Sequence, residues 1–246
     1  MKIIPLSEGA FTIDKTKLFV PFNKEADDLQ ERAVGSLLVE VQPFVLVTSE
    51  DVLLIDTGLG FEKEGVLQVH QNLMNAGINP SEITKVLMSH LHKDHAGGIS
   101  KKNQQTGQFE LAFPQATYYI QQQELAFALE KGLPSYIPEE LQCLQNASNV
   151  QLLQGNGVLN GYIKYEVTGA HSPYHQVFWI ADAGEKVFFG GDDAPQLGQM
   201  KNRFIAKYDF DGKKCMELRQ QWWQQGEADS WTYLFYHDIK TPVFRH

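Results

Sequence analysis

Between positions 89 and 98 the chain reads Ser-His-Leu-His-Lys-Asp-His-Ala-Gly-Gly. Three imidazoles and a carboxylate fall between positions 90 and 95, in a chain of 246 residues with eight histidines. Residues 84–89 (TKVLMS) read as a buried strand, so His90 stands at a strand end. Side chains alternate along extended backbone, which puts His90 and His92 on one side. Two neutral imidazoles so placed can grip one divalent ion. Asp94 and His95, where the chain turns away, can reach a second. Gly97 and Gly98 are expected to let that turn pass close to the ions.

Three later residues extend the cluster. His171 follows the apolar run 162–168, Asp192 follows 187–190, and His237 follows 232–236. Each lies just beyond a strand signal, which predicts an active site gathered at one end of the sheets. Asp56, in Leu-Leu-Ile-Asp-Thr-Gly, is a further strand-end carboxylate. It can accept a hydrogen bond from a ligand imidazole and orient it.

The elements that must position these residues are legible in the hydrophobic pattern. Residues 36–41, 43–48 and 52–56 are short β-branched runs separated by turn-like pairs, a meander of strands. Residues 62–77 switch to helical spacing, with Val66, Val69, Leu73 and Met74 on one face and Gly77 as a C-cap. Strand 117–120 and helix 121–130 follow. Residues 131–150, with Pro134 and Pro138, read as a loop or lid holding a second short helix (EELQCLQNA). Strand signals return at 151–154, 162–168, 176–181 and 187–190. A helix is expected at 211–225 and a last strand at 232–236. Strands with helix, then strands with helix again, predict two similar halves. The fold class is α/β (α+β): an αββα sandwich of two mixed sheets with helices on the outer faces.

Bulk properties narrow the partners. Hydrophobic residues make up 43% and charged residues 21%, ordinary for a globular chain. The formal net charge of -9 disfavours nucleic acid as a partner. Two cysteines, Cys143 and Cys215, form no disulfide framework and no thiolate zinc site. The N-terminal apolar run is four residues long and broken by Pro5, shorter than a secretory signal, and no run approaches a membrane span. A cytoplasmic protein acting on a small molecule is expected.

His-x-His-x-Asp-His at 90–95, with a later His, a Gly-Asp and a last His, is similar to the metallo-β-lactamase superfamily over roughly residues 36–237. The resemblance implies one domain spanning residues 1–246. It implies two divalent ions: His90, His92 and His171 on the first, Asp94, His95 and His237 on the second, and Asp192 bridging them. Zinc is the default, and iron or manganese would bind the same donors. Asp94 and Asp192 are the catalytic carboxylates in this reading, and Asp56 is structural. Two ions about 3.5–4 Å apart lower the pKa of a bridging water, so hydroxide can attack a carbonyl or phosphoryl centre. Ser89, Ser172 and both cysteines are then not nucleophiles.

Within the superfamily, His-Leu-His-Lys-Asp-His-Ala-Gly-Gly resembles the branch of N-acyl homoserine lactonases and organophosphate-degrading enzymes. Tyr208–Arg219 resembles that branch as well, with an Asp and then an Arg. Some of those lactonases carry a tyrosine three residues after the bridging Asp; here that position is Pro195, which cannot donate. The expected activity is hydrolysis of a small ester or lactone. The alternatives are a glyoxalase-type thioester hydrolase, a phosphodiesterase or nuclease, and a non-catalytic metal-binding scaffold. Outside the cluster, His175 and Asp193 are supporting residues or ordinary buried groups. His70 is expected at a surface or packing position, His246 to be frayed at the C-terminus, and Lys93 to reach solvent, the alternative being contact with an anionic substrate. Residues 19–22 form a pocket wall or a packed turn, and Trp222 and Trp223 belong to the core.

Overall fold

The computed structural model describes residues 1–246. One six-stranded sheet runs in the order Lys2–Pro5, Phe44–Val47, Val52–Ile55, Lys85–Leu87, Thr117–Gln121, Val150–Leu153. Its first pairings are antiparallel, and those beyond Val52–Ile55 are parallel. Parallel neighbours need crossovers, and helices Gln68–Asn75 and Gln122–Lys131 lie in two of them. A second six-stranded sheet runs Gly157–Leu159, Ile163–Val167, Gln176–Asp182, Glu185–Phe189, Thr232–Leu234, Val243–Arg245. A third sheet of three strands, Phe19–Phe22, Gly9–Ile13 and Leu37–Val41, adds to these.

Alternation along the strands explains the layers. Phe44, Leu46, Leu53, Ile55 and Leu87 point inward and meet Phe178, Ile180, Val187, Phe189 and Leu234 of the facing sheet. Their neighbours Val45, Leu54 and Val86 point outward and pack under Leu73, Leu125 and Leu141. On the far side Val177, Trp179, Phe188 and Tyr233 pack against helix Gly212–Ala228 through Trp222. The result is the four-layer helix–sheet–sheet–helix sandwich expected from the pattern. Phe44, Phe178 and Phe189 are fully buried between the sheets, and truncating any one to alanine should cost about 3–5 kcal/mol.

Several expected elements differ. The helix foreseen at 62–77 begins only at Gln68; Glu62–Lys63 and Val66–Leu67 form a hairpin instead. Glu64 and Gly65 have φ of 54° and 75°, and a two-residue turn of that hand suits a hairpin, not a helix. The expected 139–147 helix is a short turn, Pro138–Leu141, followed by a 3-10 segment, Gln142–Gln145. The last strand stops at Leu234. Strands Lys2–Pro5, Gly9–Ile13, Ser100–Lys102, Phe109–Leu111, Gly157–Leu159 and Val243–Arg245 and helix Leu197–Lys201 carry weak periodicity and were not expected. Residues 19–22 are a strand that also walls a cavity through Phe19.

Candidate metal centre

All seven sequence-predicted ligand residues converge beyond the strand ends. The ligand atoms of His90, His92, His171 and Asp192 lie within 4.8 Å of one another, and so do those of Asp94, His95 and His237. His92 N-caps the short helix Lys93–Ala96, which turns Asp94 and His95 toward the second group. Asp192 stands between the groups. Its Oδ2 is 3.3 Å from His171 Nε2, while its Oδ1 is 3.1 Å from His95 Nε2 and 3.0 Å from His237 Nε2. Asp94 Oδ2 completes the second group, 3.5 Å from His237 Nε2.

Hydrogen bonds on the outer sides of the rings fix which nitrogen faces inward. His95 Nδ1–H donates to Asp56 Oδ2 at 2.7 Å, and His171 Nδ1–H donates to Asp209 Oδ1 at 2.8 Å. His237 Nδ1–H donates to the Glu40 carbonyl at 2.6 Å. Ser89 Oγ gives its proton to Asp56 Oδ2 and therefore accepts from His90 Nδ1–H at 3.0 Å. Each of these four imidazoles consequently turns an Nε2 lone pair into the centre; His92 alone presents Nδ1 there.

Such a set of lone pairs fits a cation. His90 Nε2 and His171 Nε2 crowd His92 Nδ1 at 2.9 and 3.1 Å. His95 Nε2 and Asp192 Oδ1 are buried without any hydrogen-bond partner, which is costly unless a positive charge sits between them. Nitrogen-rich donors with carboxylate oxygens suit zinc, iron or manganese.

Electrostatics lead to the same conclusion. Burial, reinforced by the neighbouring imidazoles, holds His90 and His92 well below the usual histidine range. Burial also opposes charge on His95, His171 and His237, yet the Asp192 carboxylate and other acidic neighbours outweigh it and raise all three. Asp192 is held well below the carboxylate range despite burial, because His237, His95 and His171 surround it. Protons are drawn to the positions a divalent ion would take.

A wider set of residues holds this geometry. Asp56 is fully buried at φ 54°, a conformation rare for a non-glycine residue, and it also accepts from Ser89 N at 2.7 Å. His175 is a structural support: its Nε2 accepts from Asp192 N at 3.2 Å, and its Nδ1 lies 3.1 Å from Asp193 Oδ2. Gly191 is required there, since a Cβ would lie 2.6 Å from His175 Nε2 and its φ is +49°. Gly97 and Gly98 play a different part from the one expected. Each presses on the backbone of the 57–59 loop, so their small size brings two loops together rather than bringing backbone to the ions.

Four residues with a bearing on the site carried no isolated sequence signal. Asp209 orients His171, and Tyr236 stacks on His95 with ring centroids 4.0 Å apart. Glu124, buried in helix Gln122–Lys131, accepts from Leu91 N at 3.0 Å and so steadies the first ligand loop. Tyr208, 38% exposed, reaches the cavity beside His171, with ring centroids 6.2 Å apart. Only the Tyr-Asp pair at 208–209, already singled out as family-like, could have flagged Tyr208 and Asp209. His70 packs on Phe113, as expected of a non-ligand, whereas His246, expected to be frayed, packs on Trp223.

The centre opens into a cavity of about 1140 Å³. Its apolar wall comes from Phe19, Leu37, Leu38, Val39, Phe204 and Ile205. Lys93, expected in solvent, lines this cavity instead, because the helix begins at that residue and strand alternation no longer applies.

Residues 39–220 match the metallo-beta-lactamase superfamily. An N-acyl homoserine lactonase of Bacillus thuringiensis is 26% identical over 167 residues, a match covering 59% of this chain and 60% of the lactonase. The chain thus spans about three-fifths of the curated relatives it matches. A probable metal-dependent hydrolase from Staphylococcus aureus superposes with a TM-score of 0.79 at 21% identity, covering 99% of this chain and 91% of that one. AidC, a dizinc quorum-quenching lactonase solved with its product, superposes at 0.72 with 20% identity, covering 98% and 88%. At these identities the structural likeness shows a shared fold.

Proposed function

This chain belongs to the metallo-beta-lactamase superfamily, and from that premise we propose that it is a hydrolase using two divalent metal ions, by default zinc, on a small-molecule ester or lactone. One observation carries the reading: Asp192 offers one oxygen to each of two separate imidazole groups. His90, His92 and His171 would hold one ion, Asp94, His95 and His237 the other, and Asp192 both. Bound there, the pair would supply Lewis acidity and lower the pKa of water. The whole chain acts as one domain in this reading, since the ligands come from both sheets. The two cysteines are unpaired, which fits a cytoplasmic setting.

The protein's own residues would do the rest. The wall formed by Phe19, Leu37 and Val39 would receive an acyl chain and exclude water from it. Tyr208 fills the role that Pro195 cannot. Burial lifts its hydroxyl to about 12, so it keeps its proton at neutral pH and can donate to the substrate carbonyl oxygen. The lactonase relatives, the full donor set and the cavity favour this reading over a non-catalytic scaffold.

Elemental analysis of purified protein, with hydrolysis of a homoserine lactone, an aryl ester, a glutathione thioester and a bis-aryl phosphate, tests the proposal. Two metal equivalents, with lactone or ester turnover lost in His92→Ala, would support it. No metal uptake on reconstitution, or turnover indifferent to His92→Ala, would refute it.

A further inference from the structure

The walls of the cavity carry a charge pattern at odds with the whole chain. The protein is acidic, at -9, yet Lys15, Lys17, Lys93 and Lys207 all line this one space. None of the four ammonium groups has a carboxylate within ion-pair distance, although Lys24, Lys85, Lys164, Lys186 and Lys213 do elsewhere. The cavity's own carboxylates are committed. Asp94 and Asp192 face the ligand imidazoles. Asp14 accepts from Thr16 N at 2.8 Å and from the Thr16 hydroxyl, within its own turn.

That turn places Lys17 deliberately. It joins strands Gly9–Ile13 and Phe19–Phe22, and it closes through Lys17 N–H donating to the Asp14 carbonyl at 3.0 Å. Lys17 itself adopts φ 60°, a conformation a lysine rarely takes, so the backbone there is held by the turn and not by side-chain preference. Both Lys17 and Lys93 are half-buried and line the same cavity, and the adjacent Asp94 is turned toward the ligand imidazoles. Like charges lining one cavity repel each other, and an anion between them relieves that repulsion. A cavity with low-dielectric apolar walls focuses such a field.

We propose that the cavity selects a substrate bearing an anionic group, a carboxylate or a phosphate, remote from the scissile ester or lactone bond, and that Lys17 and Lys93 recognise it. This rests on the hydrolase reading above and adds the substrate class. The scissile end would lie against the ligand imidazoles and Tyr208, the middle along Phe19 and Leu37, and the anion between Lys17 and Lys93. Neutral acyl lactones would be handled as imperfect analogues.

The test compares matched aryl esters with the zinc-loaded protein. Each pair shares an acyl length, from four to ten carbons, and ends in either a methyl group or a carboxylate. At low ionic strength at least one carboxylate-ended ester should show kcat/KM about tenfold above its methyl-ended partner. Most of the difference should lie in KM, and 0.5 M salt should reduce it. Lys17→Gln and Lys93→Gln should each lower that preference severalfold, while Lys213→Gln, on a helix outside the cavity, should leave it intact. Calorimetric binding of octanedioate against octanoate gives a readout independent of turnover and should show the same order. Equal handling of both series, or a preference for methyl ends, with active enzyme, overturns this inference and leaves the hydrolase reading standing. No turnover of either series or of a homoserine lactone, with zinc bound, sinks both.

Discussion

His171 and Asp209 are joined by a 2.8 Å hydrogen bond that reaches across 38 residues of sequence, from a ligand imidazole to a carboxylate nearly closed to solvent. The bond leaves Nε2 of His171 as the nitrogen that faces Asp192 and His92. Removing it frees the ring to rotate and to change tautomer. Asp209→Ala should therefore weaken zinc binding by about 10–100-fold while leaving secondary structure intact. Competition with a chromophoric chelator, alongside circular dichroism, measures both. Wild-type affinity in the variant would mean that Asp209 is only a packing residue.

Tyr208 should separate binding from chemistry. Tyr208→Phe keeps the ring that walls the cavity beside His171 and deletes its hydroxyl. A lost donor of this kind costs roughly 10–1000-fold in kcat. The expected outcome is a fall of at least tenfold in kcat with KM changed less than threefold. A variant with unaltered kcat would remove Tyr208 from the chemistry.

Metal uptake should depend on pH in a definite direction. Despite burial, carboxylate neighbours raise His95, His171 and His237 above the usual histidine range in the metal-free protein. A raised folded-state value stabilises the metal-free fold below the unfolded value, and that stability is lost as pH rises through the folded values. Zinc displaces those protons, so its affinity should climb with pH. Melting curves from pH 7.5 to pH 9, above the range in which the depressed His90 and His92 oppose the trend, should show the metal-free protein losing stability and the stabilisation by zinc growing. A zinc effect that is flat over that range would contradict the proton competition.

Glu8, which feels the Asp94 charge but is not itself among the ligand residues, offers another test. Its carboxyl is pushed up to about 7 by burial, against a hydrogen bond from Leu59 N at 2.7 Å, and its other oxygen has no partner. A carboxyl raised in this way favours the fold while neutral and penalises it once ionised. Stability should therefore fall as pH rises from the unfolded value near 4.5 through about 7. Glu8→Gln keeps an acceptor for Leu59 and carries no charge. It should be close to wild type at pH 5 and more stable at pH 8 by up to about 3 kcal/mol. Denaturant titrations at the two values decide it. A variant less stable at both would show that the ionised group has a partner.

Much of the centre was legible because its residues are dense or sit at strand ends. His90, His92, Asp94 and His95 announce themselves within six positions, and His171, Asp192 and His237 each follow an apolar run. The sandwich followed from the order of apolar runs and helices, with the runs at 43–48, 52–56, 176–181 and 187–190. What stayed hidden depends on distance or on a local exception. Val66, Val69 and Leu73 carry helical spacing, yet the positive φ of Glu64 and Gly65 turns the first part of that stretch into a hairpin. Glu124 and Asp209 act on residues 33 and 38 positions away, and no periodicity encodes such a partnership. Gly97 and Gly98 were read for the right property, small size, but against the wrong neighbour.

The ligands also impose an order in time. His90 is synthesised 147 residues before His237. At translation rates of about 5–20 residues per second, that gap lasts roughly 7–30 s. In its first part the nascent chain carries His90 and His92 without His171 and Asp192, and throughout it Asp94 and His95 lack His237. A metal captured early would find other donors than its final ones. On the proposed two-ion reading the centre would be a checkpoint on completed synthesis, since only a chain folded through its second sheet brings all seven residues together.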